Sequence, residues 1–318
     1  MSEYKAIHGV KVRDYTTDPD NLIVGQVWYD KTNKVLQFQA EGAASWASGG
    51  DMNNGRATLG SSGTQTAGLA FGGSGSAAHT ETYNGSAWTE VNDLNSEREA
   101  LGGSGTQTLA LAYGGEDAND AQDLCESWNG TSWTEVGDLN NARQTIVGAG
   151  ASNTSALAFG GGNSAHTELW NGTAWTELNN LNLARSSMGS SGIATAALGY
   201  GGARPSSAFD GETESWNGTS WTEVADMNTD RATLGGAGTT NTLALAFGGE
   251  STAVTANTEL YNGTSWVEQN NLNTAIAKNA GTGSTTAALS FGGSPSPNSA
   301  KSEEWNNPTL TIKTVDID

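Results

Sequence analysis

Six glutamates and five arginines recur at near-regular places in this chain: Glu81, Glu126, Glu168, Glu214, Glu259 and Glu303, and Arg56, Arg98, Arg143, Arg185 and Arg231. Paired carboxylates can do general acid and base work, and grouped guanidiniums can hold an anion. Residues that return once per copy of a repeat are related by its pseudo-symmetry, so they cannot all converge on one substrate. The expectation is a structural one, a partly buried bidentate carboxylate–guanidinium bridge bracing each repeat. One copy departs, with Ile276 where the arginine belongs and Lys278 nearby.

The other chemistry-bearing residues are few. His79 and His166 occupy equivalent places, in "AAHTETY" and "SAHTELW", and His8 stands apart. The spacing presents no Cys/His/carboxylate cluster of metal-ligand type, so no metal, no cofactor and no catalytic residue are expected. A single cysteine, Cys125, precludes an intramolecular disulfide and reads as a small buried strand residue. Five Asn-Gly-Ser/Thr sequons begin at Asn84, Asn129, Asn171, Asn217 and Asn262, and read as turn chemistry rather than as glycan acceptors.

What must position these residues is a repeat. "ETYNGSAWTEV" (81–91) returns as "ESWNGTSWTEV", "ELWNGTAWTEL", "ESWNGTSWTEV" and "ELYNGTSWVEQ", and "EEWNNP" closes the series. Phe71, Tyr113, Phe159, Tyr200, Phe247 and Phe291 each lead a Gly-Gly pair, at steps of 42, 46, 41, 47 and 44 residues. Such a period marks a stacked or circular repeat protein. Each copy contains four short strand candidates, the last two joined by an Asn-Gly pair expected to form a type I′ turn. Two of the four are built of Gly, Ala, Ser and Thr, as crowding around a central channel demands, which favours a β-propeller over a linear solenoid. The six outer-strand tryptophans are Trp46, Trp88, Trp133, Trp175, Trp221 and Trp266. The first precedes the first Gly-Gly strand, so an N-terminal strand near 44–48 is the favoured closer of the last blade. The competing closer is "TLTIKTV" (309–315), with Leu310 at the tryptophan's place.

Arg, an apolar strand ending in Gly-Gly, then aromatic-Asn-Gly-x-x-Trp resembles the kelch repeat over about 42–306, with Asn-Gly where Tyr-Asp-Pro is usual there and with smaller inner strands. The wording "LNxAR…FGG…TEYNGxxW" is similar to kelch-like arrays in tail and other virion proteins of marine phages. "VGQVWYDKTNKVLQF" (24–38) resembles a segment near the N-termini of phage fibre and virion proteins. These resemblances imply an all-β, six-bladed kelch-like propeller of four-stranded antiparallel blades over 42–308. Residues 1–41 would then be an attachment or oligomerisation segment, and 309–318 a C-terminal strand or tail.

The net charge of −20, with no basic cluster, argues against nucleic acid or anionic membrane as partner. No signal peptide or membrane-spanning run is read, so an extracellular role would follow from particle assembly and lysis. The loops between the Gly-Gly strand and the Glu-aromatic strand differ in every copy, and a varied loop set on a repeated scaffold reads either as a binding surface or as drift on a solvated rim. Arg204, Phe209 and Asp210 in the longest, 203–213, and Asp117 and Asp120 in 116–124 are the candidate binding residues. The resulting expectation is a phage virion structural protein, a tail fibre or other external appendage that is homo-oligomeric on the particle. Residues 1–41 would contact other virion proteins, and the head a host-surface glycan or protein. The alternatives are a kelch-type protein-interaction scaffold or a capsid decoration protein, with a glycan hydrolase last.

Overall fold

The computed structural model describes residues 12–19, 26–41, 43–74, 78–118, 120–294, 298–306 and 310–315. His8, the first eleven residues, and the parts of the variable loops at 75–77, 119 and 295–297 lie outside them. Among the described residues every regular element is a strand, and the strands form seven four-stranded sheets. The chain divides into two units, one comprising 1–44 and 307–318 and the other 45–306.

The smaller unit is one mixed sheet. Arg13–Tyr15 runs parallel to Val27–Asp30, which forms an antiparallel hairpin with Val35–Glu41. Asp30 organises the intervening turn, its carboxylate accepting from the Thr32 and Asn33 N–H groups and from Asn33 Nδ2. Leu310–Thr314 pairs antiparallel with Val35–Glu41, so the C-terminal run belongs to this sheet.

The larger unit repeats one antiparallel meander. In the first sheet Gly60–Thr64, Ala67–Phe71, Thr80–Tyr83 and Trp88–Val91 follow in order from inner to outer strand. The second, third, fourth and fifth sheets begin at Gly102, Val147, Gly189 and Gly235 with the same order. The sixth takes Ala280–Gly283, Ala287–Phe291 and Ser302–Asn306 from the C-terminal part, and Ser45–Ser48 as its outer strand. Trp305 lies opposite Trp46 in that pairing. The six inner strands neighbour one another in cyclic order, the last beside the first, which makes this unit an all-β, β-propeller-like ring.

Close approach of the inner strands explains their small residues. A Cβ on Gly103 would lie 2.5 Å from the Ser61 carbonyl oxygen and 2.7 Å from the Phe71 ring. Hydroxyls also staple inner strands to their neighbours in four of the six pairs: Ser61 Oγ donates to the Gly281 carbonyl at 2.9 Å, and Ser190 Oγ to that of Gly148 at 3.0 Å.

The outer hairpin turn differs from the type I′ expectation. In the Asn84–Ala87 turn only Gly85 has positive φ, at 90°, so the central pair is Gly85-Ser86 and the asparagine sits one place earlier. Positive φ at the first central residue alone is the type II′ pattern. Asn84 Oδ1 accepts from the Ser86 and Ala87 N–H groups at 3.0 and 2.9 Å, so its amide shapes the turn while its backbone stays out of the left-handed region. The other four Asn-Gly turns repeat this geometry.

The arginine–glutamate contact is present in five sheets, but it is fully buried and not bidentate. Arg56 Nη2 meets Glu81 Oε1 at 2.8 Å, while its Nη1 donates to the carbonyls of Gly72 and His79. Glu81 Oε2 is taken by the Asn53 N–H and Nδ2, both at 2.8 Å. Arg98–Glu126, Arg143–Glu168, Arg185–Glu214 and Arg231–Glu259 repeat the bridge at 2.7–3.0 Å. Burial pulls the guanidiniums of Arg56, Arg98, Arg143 and Arg231 below the usual arginine range, and the facing glutamate opposes that pull. In the sixth sheet Ile276 is buried and Glu303 relies on the Asn273 N–H and Nδ2 and the Thr274 N–H.

Each outer tryptophan reaches back to the preceding sheet. Trp133 packs on Phe71 with ring centroids 5.0 Å apart, and five equivalent pairs close the circle at 4.7–5.2 Å. The indole N–H donates to a hydroxyl of that sheet in five cases, such as Trp133 to Thr80 Oγ1 at 3.0 Å. Cys125 occupies the hydroxyl's place opposite Trp175, whose Nε1 meets no oxygen or nitrogen acceptor. Burial pushes the Cys125 thiol up to about 12, so it stays protonated at neutral pH and packs as a small apolar group.

Cys125→Thr restores the acceptor found in the other sheets. It is expected to stabilise the protein by about 0.5–1.5 kcal/mol, read as a higher urea midpoint at unchanged slope. Arg98→Met strands Glu126 without a cation and is expected to cost about 3–5 kcal/mol in the same measurement.

Candidate binding face

The ring has two chemically different ends. At one end lie the tips of the inner hairpins and the Asn-Gly turns; residues 84–87, 129–132, 171–174, 217–220 and 262–265 contain no charged side chain. At the other end the variable loops meet the connections that enter each inner strand. Backbone bridges tie them there, between Glu99 and Glu116, Ser186 and Ala203, Ala232 and Glu250, and Ala277 and Ser294.

A central cavity of about 630 Å³ is lined by the inner strands and by Thr58, Ala100, Thr145, Ser187, Thr233 and Lys278. All six of these residues have left-handed φ, between 52° and 56°, although none is glycine. The Ala100 N–H donates to the Thr58 carbonyl at 2.8 Å, Thr145 to Ala100 at 2.7 Å, and so on through Lys278. The Thr58 N–H donates to Lys278 at 3.0 Å and completes a circle of six backbone hydrogen bonds. Left-handed conformations of such residues cost on the order of 1–3 kcal/mol each and persist only where surrounding structure dictates them. The circle is what dictates them here.

Lys278 therefore stands as a cation in a ring whose other members are threonine, alanine or serine. Glu99 and Glu116 line the same cavity. Glu99 Oε2 accepts from Thr58 Oγ1 at 3.1 Å. Burial, and then the charge of Glu99, hold the Glu116 carboxyl above the usual glutamate range.

The five candidate binding residues are not brought together: Arg204, Phe209 and Asp210 belong to the fourth sheet and Asp117 and Asp120 to the second. Arg204 and Asp210 turn inward. Arg204 Nε pairs with Asp210, which is 3% exposed, and its Nη1 donates to Glu212 Oε1 at 3.1 Å. The fixed charges of a loop that must cross a ring end are cheapest when paired, and these two are spent on holding their own loop. Phe209 is half-buried, and its carbonyl accepts from Ser207 Oγ. Asp117 and Asp120 are exposed and share a turn, with Asp117 Oδ1 accepting from the Asp120 N–H at 3.0 Å. The repeated Trp, Arg and Glu residues are likewise committed to the scaffold.

Two features escaped the sequence reading. The left-handed circle falls two residues after each arginine, a regular spacing, but Thr, Ala, Ser and Lys do not signal positive φ. His79, Glu90 and Asp93 come together at the outer rim of the first sheet although they are spread over a strand entrance, a strand and a loop. Their sequence intervals match no metal motif, so only the sheet pairing unites them.

Arg204→Ala removes the cation on which the 203–213 loop folds. Amide hydrogen exchange within 203–213 is expected to accelerate at least tenfold while the strands of the fourth sheet keep their protection.

No protein-family model and no curated protein matches the chain.

Proposed function

We propose that this chain is a phage virion structural protein, a tail fibre or other external appendage. Its six-bladed kelch-like ring would act as a non-catalytic binding head, and residues 1–41 as the attachment segment. The observation that carries the reading is the division of labour within the ring. The repeated Arg, Glu, Asn and Trp side chains are consumed in buried contacts, while the loops at one end change from sheet to sheet.

The chain enters the ring at Ser45 and leaves it at Asn306, which are paired residues at the hairpin-tip end. The varied loops and the cavity mouth with Lys278 are at the other end, free of those chain connections. Host-surface glycan or protein is the partner class, engaged by non-covalent contact. Many copies on a particle would multiply a weak single contact through effective concentration. An acidic surface suits such a role, since it disfavours indiscriminate adhesion to nucleic acid and anionic membrane.

Immunogold electron microscopy with antibody to the ring tests this on particles purified from the source lysate. Label at tail or fibre tips is the expected result. Label spread over the head would replace adsorption by capsid decoration, and unlabelled intact particles would overturn the virion reading in favour of a protein-interaction scaffold.

A further inference from the structure

One corner recurs near the outer rim of every sheet. It joins the residue two before the third-strand glutamate to the outer strand and to the first residue of the Asp-Leu-Asn phrase. In the sixth sheet this corner holds Lys301, whose Nζ lies 2.7 Å from Asp51 Oδ2. In the first sheet it holds an imidazole and two carboxylates. His79 Nδ1 is 3.1 Å from Glu90 Oε1 and 3.9 Å from Asp93 Oδ1, and one donor atom from each residue lies within 4.8 Å of the others. We propose that His79, Glu90 and Asp93 form a binding site for a divalent transition metal of the zinc class.

The donor set is the first reason. One imidazole nitrogen with two carboxylates suits zinc and its neighbours, and three protein ligands leave a fourth position for water or for a group on a bound molecule. At bond lengths of about 2.0–2.2 Å, tetrahedral ligand atoms stand about 3.4 Å apart. The histidine and Glu90 are already near that separation, and Asp93, 3.9 Å from the imidazole nitrogen, must draw closer. Half-exposed side chains make the shift easy, since Glu90 is 51% and Asp93 42% exposed. The Thr80 N–H donates to Asp93 Oδ1 at 3.1 Å and orients the carboxylate, as outer partners of metal ligands do.

Charge is the second reason. The sixth sheet supplies a cation to this corner covalently, as Lys301, whereas the first places two carboxylates around an imidazole. The guanidinium of the same sheet, Arg56, is committed to Glu81 and to two carbonyl oxygens.

The chain also contains its own control. In the third sheet His166 Nδ1 lies 3.0 Å from Glu177 Oε1, an almost identical pair, but Asn180 replaces the aspartate. Asn180 Oδ1 accepts from the Thr167 N–H at 3.2 Å, so the backbone role survives while the anionic ligand does not. The third sheet therefore lacks the complete set.

Isothermal titration of the full, chelator-treated chain with zinc chloride tests the assignment. The expected result is one zinc per chain, weakened at least tenfold by Asp93→Asn and by His79→Ala. Asn180→Asp should raise the stoichiometry from one to two, a gain that misfolding cannot mimic. No zinc uptake by the wild type at millimolar zinc would overturn the proposal. So would uptake that Asp93→Asn and His79→Ala leave unchanged, because the zinc would then reside elsewhere.

Discussion

A guanidinium buried beside a carboxylate is the constraint around which five of the six sheets of the ring are arranged. Taking both charges out of water is costly unless every oxygen and most nitrogens find partners. That requirement recruits the rest of the repeat. Nη1 of the arginine fixes the carbonyl after the Gly-Gly strand and the carbonyl before the third strand. The glutamate's second oxygen fixes the asparagine of the Asp-Leu-Asn phrase, whose amide also reaches the outer tryptophan's carbonyl. One ion pair thus ties the incoming connection to three of the four strands. The Nε of all five arginines meets no acceptor.

Between sheets the bonding changes character. Six aromatic pairs, each contributing about 0.5–1.5 kcal/mol beyond area burial, run between neighbours. Gln65, Gln107, Asn153 and Asn241 at the inner hairpin tips add amide bonds to the preceding sheet's carbonyls, as Gln107 does to Gly68 and Tyr83. The left-handed circle adds a third interface at the opposite end. Two sets of contacts between every pair of neighbours, and a third between four of the six pairs, leave little freedom for one sheet to tilt without the next. That rigidity is what allows the loops to differ freely.

Periodicity made the repeat, the strand candidates and the buried bridge legible, because each depends on residue type at a fixed interval. Cys125 was legible as a strand residue, though not as the substitute for a threonine hydroxyl, since that requires knowing which tryptophan faces it. The Asn-Gly turn was recognised but placed one residue out of frame: the dipeptide is the usual type I′ signal, and only the side-chain hydrogen bonds reveal the asparagine as the residue before the central pair. The binding candidates were chosen from composition, and composition does not say whether Arg204 and Asp210 face solvent or each other. Close spacing in one loop favoured the second outcome. His79, Glu90 and Asp93 were invisible as a group for the opposite reason, being joined by strand pairing rather than by spacing.

The outer strand of the sixth sheet has a temporal consequence. Ser45–Ser48 leaves the ribosome early, while its partner Ser302–Asn306 follows roughly 250 residues later, a delay of tens of seconds at about 5–20 residues per second. Throughout that interval the growing ring has two unsealed flanks, with Trp88 waiting for Phe291 on one side and each newest sheet open on the other. Closure waits for residues 302–306. A chain interrupted before residue 302 retains several well-formed sheets yet cannot seal them, so incomplete products are marked for degradation or aggregation by their exposed edges.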